Sequence, residues 1–302
     1  MLQDSVSAAP PATTGPASAN AVRGLARDWL GRLELRFGRR DERTIVTHRR
    51  HVGPLLVQRS FHPEGAPCHS YIIHPPGGVA GGDQLLLDVA LDAEAHALIT
   101  TPAAAKFYRS GGDQAQQRQT FRLGNRACCE FLPAETILHG GCDVRLDTRF
   151  ELAATARLCL WDVVCLGRPG SGDHYADGRL QQTLTVTRNG APLFHDALRA
   201  NAGDAALQAP WGLAGYPVIG TLLATLPRDE AVDAAALVND LRQSSPDRTA
   251  LRWGVTRLQE ALLVRCLGTA VEPVKHLLEQ LWTRLRPALF DREACPPRIW
   301  RT

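Results

Sequence analysis

The ten residues His74-Pro75-Pro76-Gly77-Gly78-Val79-Ala80-Gly81-Gly82-Asp83 form the densest turn signal in this 302-residue chain. Pro75 and Pro76 each fix φ and lack an amide proton. Gly77, Gly78, Gly81 and Gly82 admit positive φ or the close approach of a neighbour. Tyr71-Ile72-Ile73 leads in and Leu85-Leu86-Leu87 leads out. The stretch reads as a stiff, then permissive corner between two buried strands, with Asp83 at its exit. A plain linker has little need of this composition, so something is expected to pass, bind or pack here.

Outward from that corner the signal is β as far as about residue 225. Leu33, Leu35 and Phe37 alternate as in a half-buried strand. Leu55-Leu56-Val57, Ala97-Leu98-Ile99, Leu158-Cys159-Leu160 and Thr183-Leu184-Thr185-Val186-Thr187 are short apolar or β-branched runs between Gly, Pro, Asp and Asn. Asn189-Gly190 marks a two-residue hairpin turn. Turns ending at Asp83, Asp113, Asp143, Asp173 and Asp204 recur at a roughly thirty-residue spacing that would suit stacked coils. The side chains around them do not repeat, and Gly and Asp are common in turns, so the spacing reads as coincidence.

Two helices are expected late in the chain. Residues 229 to 243 place Val232, Ala235, Ala236 and Leu237 on one side. Residues 273 to 286 carry Val274, Leu277, Leu278, Leu281, Trp282 and Leu285 at helical spacing, with Pro273 at the start and Pro287 expected to stop the helix. Between them Arg252 to Gly268 reads as a β-hairpin burying Leu262, Leu263 and Val264. Residues 1–20, rich in Ala, Pro, Ser, Thr and Gly, are expected to form a disordered tail. That leaves 21–302 as a single β-rich domain with two helices near its end.

Composition excludes several classes. A hydrophobic share of 44% with 22% charged residues is that of an ordinary globular chain. A net charge of +3, without a Lys/Arg block interleaved with aromatics, gives no footprint for nucleic acid. No run reaches the length of a membrane span. Eight cysteines without a C-x-x-C pair read as reduced thiols, and with no signal-peptide pattern the expected location is cytoplasmic.

Candidate chemistry is sparse. Consecutive glycine amides could cradle an anion, giving a nucleotide-binding module as one reading, but these glycines lead into a strand rather than the helix such loops require. His74 and Asp83 could converge across the turn, giving a metal-dependent hydrolase as another. Asp162 stands inside the apolar run Trp161-Asp162-Val163-Val164-Cys165-Leu166, where a carboxylate must be paired, hydrated or functional. A pairing with Arg168 would explain it without function. Asp196 comes directly after Leu193-Phe194-His195. The terminal Ile299-Trp300 is apolar enough to dock on the core or on a partner.

Several blocks together resemble the urease accessory protein D (UreD) family. They are Gly53-Pro54-Leu55 with Val57-Gln58-Arg59, Phe61-His62-Pro63-Glu64, the stretch 74–83, and Thr100-Thr101-Pro102 leading to Lys106-Phe107-Tyr108-Arg109-Ser110. Leu132-Pro133-Ala134-Glu135, Trp161-Asp162 through Leu166-Gly167-Arg168-Pro169, Trp282 through Leu285-Arg286-Pro287, and Pro297-Arg298-Ile299-Trp300 continue the series in order. The resemblance implies a non-enzymatic scaffold of urease maturation that bridges apo-urease to accessory proteins F and G, the latter a GTPase. It implies a β-helix-like stack of many strands with two C-terminal helices, no tightly bound cofactor, and transient Ni²⁺ moving through a polar interior passage. Carried over, that passage would use Asp83, Asp162, Asp196 and His74, with Pro75, Pro76, Gly77, Gly78, Gly81 and Gly82 shaping its turn. Partner docking would fall to Val274, Leu278, Leu281, Trp282, Ile299 and Trp300. Asp196 and Asp173 stand where relatives often carry Glu, and Ala105 replaces a hydroxyl residue of some relatives.

Overall fold

A computed structural model describes residues 29–228, 232–243 and 251–301. The chain enters through the antiparallel pair β1 (Leu30–Arg40) and β2 (Arg43–Val52), then the short β3 (Leu56–Val57). Four coils come next. The first holds β4 (Cys68–Ile73) and β5 (Gln84–Leu91), and the second β6 (His96–Thr100), β7 (Ala105–Phe107) and β8 (Ala115–Leu123). The third holds β9 (Cys128–Phe131), β10 (Thr136–Leu138) and β11 (Asp143–Leu152), and the fourth β12 (Arg157–Leu166) and β13 (Arg179–Arg188). Beyond lie β14 (Ala191–Asn201), the one-turn α1 (Ala205–Gln208), β15 (Val218–Thr225) and α2 (Ala234–Arg242). The hairpin β16 (Leu251–Leu258) and β17 (Ala261–Gly268) leads into α3 (Val271–Phe290). No helix among the described residues is long and apolar enough to cross a membrane.

Each coil sends one strand to each of two facing sheets. One sheet is ordered β14-β13-β11-β8-β5-β1-β2, and the other runs β16-β17-β15-β12-β9-β6-β4-β3, with β10 and β7 continuing beside β12. From β5 through β13, and from β4 through β12, successive coils pair in parallel. The fold is therefore mainly β and solenoid-like. The turn spacing read as coincidence is the coil length: Asp83, Asp113 and Asp143 precede or open β5, β8 and β11. Parallel stacking needs equal coil lengths, not equal side chains, which is why the repeat was invisible in the residues between the turns. Asp204 lies past β14 and outside the stack.

The Gly-rich corner carries the chain from one sheet to the other and is built for packing. Val79 pairs with Phe107, Phe107 with Leu138, and Leu138 with Leu166, forming one buried column along the corners of the coils. Gly78 lies under the ring of Tyr108, and a methyl group on Gly81 would stand 2.7 Å from the Asp113 carbonyl oxygen. Gly77 and Gly82 take positive φ, 76° and 88°. At the far end Asn189 and Gly190 do likewise, turning β13 into β14 as their sequence requires.

Helical details depart from expectation. The described helix α2, capped by Asp233 through the amides of Ala235 and Ala236, buries the i, i+4, i+7 face of Ala234, Val238 and Leu241, not Ala235 and Ala236. Residues 229–231 lie outside the described set. Pro287 does not end α3, which runs on to Phe290. Leu289 and Phe290 are buried beyond it, and that burial offsets the hydrogen bond lost at Pro287. In the hairpin, Leu262 and Val264 pack under α3 while Leu263 turns to the opposite face. The expected tail at 1–20 also lies outside the described residues.

Candidate functional site: a polar seam between the sheets

Strand alternation should fill the space between the sheets with apolar side chains. Near β1 it does: Leu33, Phe37, Val89, Phe121 and Phe150 are buried there, with the rings of Phe121 and Phe150 stacked 4.4 Å apart. Toward the corners the inward positions change character. Gln117 and Gln119 of β8, Thr148 of β11 and Gln182 of β13 occupy them, and Asp162 of β12 faces them from the other sheet. Polar side chains that cannot interdigitate leave space.

Three cavities run along this seam and share walls. The outermost, of about 510 Å³, lies beside the edge strand β14 and is lined by Asp162, Gln182, Asp196, Thr221 and Arg265, among others. A constriction of about 70 Å³ continues past Asp162 and Gln182 to Gln117, Gln119 and Thr148. Gln117 and Gln119 also line a third cavity of about 160 Å³, which ends at His74, Gly77, Gly78 and Lys106.

Within the seam, Gln182 Nε2 donates to Asp162 Oδ2 at 2.7 Å. The groups acting on Asp162 are Gln182, Arg265 and Asp196, not Arg168, so the expected Asp162–Arg168 pairing is not formed. Asp162 reaches cavity space, yet the strands around it strip away bulk water. That burial pushes its pKa up to about 6, against the hydrogen bond from Gln182 and the charge of Arg265, with Asp196 adding to the rise. Burial lowers the His74 pKa, and the nearby charge of Asp83 only partly opposes it. The imidazole is then neutral at pH 7 and has a lone pair to offer.

The sequence candidates separate accordingly. Asp162, Asp196 and His74 line the seam, with Asp196 tied to Arg265 at 2.6 Å. Asp83 lines none of the three cavities: its Oδ2 accepts from the Ala80 amide at 2.8 Å, closing its own turn. That one bond makes Asp83 an anchor of the turn, and its charge still reaches His74 at the end of the third cavity. Among the described residues no three His, Cys, Asp or Glu side chains are placed to hold a metal. The Gly-rich corner opens into strand β5, so it lacks the helix N-terminus of a phosphate cradle.

The helix residues expected at a docking surface lie inside the fold. Val274, Leu278, Leu281 and Trp282 are fully buried against the second sheet, which claims the whole apolar stripe of α3. Ile299 and Trp300 stay half-exposed and wall a groove of about 480 Å³ with Glu135, Lys275 and Glu279. Trp300 packs 5.1 Å from the Trp161 ring and donates to Thr100 Oγ1 at 2.9 Å.

One polar cluster escaped the sequence reading. Beneath α3, Arg286 meets Glu130 and Glu64, Trp282 Nε1 donates to Glu130 at 2.7 Å, and His96 and His69 close on Glu130 and Glu64. Its signal was present: Glu130 sits in Cys128-Cys129-Glu130-Phe131-Leu132, an acid in an apolar run just as Asp162 is.

The UreD urease accessory protein family model matches residues 30–301. A urease accessory protein UreD of Alkalilimnicola ehrlichii is 54% identical over 275 residues, covering 91% of this chain and 92% of that one. Proteins of the same name from Pseudomonas entomophila and Citrobacter koseri are 42% and 39% identical, again over at least 91% of this chain and 95% of theirs. Identity at this level over nearly the whole described body means that the chain belongs to the UreD family of urease accessory proteins.

Proposed function

We propose that this protein acts in the cytoplasm in urease maturation, as a single-domain scaffold joining apo-urease to accessory proteins F and G, and that Ni²⁺ crosses it through the polar seam. The observation carrying the reading is the row Gln117, Gln119, Thr148, Asp162 and Gln182, placed inside a sandwich where alternation calls for apolar residues. Ni²⁺ accepts nitrogen and oxygen donors, and a carrier must bind it weakly enough to let go. Single donors spaced along the seam, neutral His74 at one end and Asp162 farther in, offer brief stops rather than a cage. The half-exposed Ile299 and Trp300, beside the Glu135–Lys275 pair, are the proposed docking contacts for protein F.

The test is reconstitution with apo-urease and proteins F and G, then size exclusion, nickel analysis and urea hydrolysis. Asp162→Ala and His74→Ala are expected to leave the complexes intact while urease stays nickel-poor. Full nickel loading by both variants would remove the seam from the route.

A further inference from the structure

Arg265 stands where the outer cavity opens beside β14. Strand β17 pairs with β15 and β15 with β12, in a register that sets Arg265, Thr221 and Asp162 side by side in one cross-strand row. From that row the guanidinium crosses to the facing sheet. Its Nη2 meets Asp196 Oδ2 at 2.6 Å, and its Nη1 donates to Thr221 Oγ1 at 3.0 Å. Asp162, two strands along the row from Arg265, is held by Gln182 instead. All five side chains line the same cavity.

Two features make this pair more than a brace. The Arg265 side chain is 42% exposed and that of Asp196 30%, so the ion pair lies at the mouth, and the guanidinium has solvent to swing into. An exposed pair of this kind contributes little to stability. The charge of Arg265 also reaches Asp162, whose pKa it lowers. A divalent cation approaching Asp162 from this end therefore meets a positive charge first, with Asp196 already occupied.

We propose that Arg265 is the gate on this path. With its guanidinium on Asp196 it excludes a divalent cation from Asp162, and entry requires the Arg265–Asp196 pair to open. The inference rests on reading the seam as an ion path, and it names the residue that decides when the path is open.

The test is titration of the full chain with Ni²⁺ alone, against a competing chromophoric chelator. Arg265→Gln removes the charge and is expected to tighten the apparent Kd roughly tenfold, the scale of a like-charge repulsion across two strand spacings, roughly 10 Å, in a partly hydrated site. Arg265→Met, neutral and of similar reach, should behave the same and serves if the Gln variant folds poorly. Arg265→Lys keeps the charge and should stay near the wild-type Kd, which a merely structural role would not produce. The gain should vanish when Asp162→Asn is added. Unchanged affinity in both neutral variants, with Asp162→Asn still weakening binding, would overturn the gate and leave the path standing. If Asp162→Asn weakens binding in neither background, the path itself fails and the gate with it.

Discussion

The Arg286 guanidinium and the Glu130 carboxylate meet in full burial, Nε to Oε2 at 3.0 Å and Nη2 to Oε1 at 3.1 Å, across 156 positions of sequence. The pair ties α3 to strand β9, and Glu64 and Trp282 complete its hydrogen bonds. Burial alone would raise the Glu130 pKa, but His96 and Arg286 more than offset it and hold the group well below the usual carboxylate range.

Removing one member leaves the other charged and dry. Arg286→Met is expected to cost about 3–5 kcal/mol, read as a lower urea midpoint at unchanged slope. Arg286→Met with Glu130→Gln should recover part of that loss, because no bare charge remains. In the wild type, the stability that Glu130 contributes is complete above its unfolded pKa near 4.5 and is lost as pH falls through its depressed folded value. The double variant should therefore lose less stability than wild type on acidification below pH 4.5.

Asp162 has the opposite sign. Its folded pKa of about 6 lies above the unfolded value of 3.8, so its ionised form opposes folding. The relative benefit is complete below about pH 4 and is gone once pH has risen through 6. Asp162→Asn should be more stable than wild type at pH 8, by about 3 kcal/mol, with the gap closing between pH 6 and pH 4. Urea midpoints at pH 8, 6 and 4 measure this directly. A gap that did not vary with pH would mean that Asp162 carries no buried charge.

Two glycines of the corner should differ. A methyl group on Gly78 meets the Tyr108 ring, a half-exposed side chain that must swing off its contact with the His139 ring to make room. Gly78→Ala should cost less than about 1 kcal/mol. On Gly81 the methyl group meets backbone, 2.7 Å from the Asp113 carbonyl oxygen in the next coil. Gly81→Ala should cost about 1–3 kcal/mol, seen in thermal melts of the two variants side by side.

Local signals were legible where one residue's neighbours decide its place. Leu33, Leu35 and Phe37 were strand by alternation, Asn189-Gly190 a turn by φ, and Leu277 to Leu285 a helix by period, as the structure has them. The inward row Gln117, Gln119, Phe121, Leu123 shows the same alternation and could have disclosed the seam. What stayed hidden depends on distant partners. Nothing near Pro287 says that Leu289 will find a buried slot, and nothing near Asp196 says that Arg265 will reach it. The helical stripe was read correctly as apolar but assigned to a partner, because periodicity gives the face and not what covers it.

A stack of coils also behaves as a ruler. His74 comes just after β4 and Asp162 lies on β12, three rungs away through β6 and β9, a separation across the sheet of about 14 Å at the ~4.8 Å rung spacing. Point substitutions leave that count alone, and losing one residue inside a strand would turn its side chains to the wrong face. The span between the two donors can therefore lengthen or shorten only by a complete coil, which makes transit distance a property of strand number rather than of any side chain.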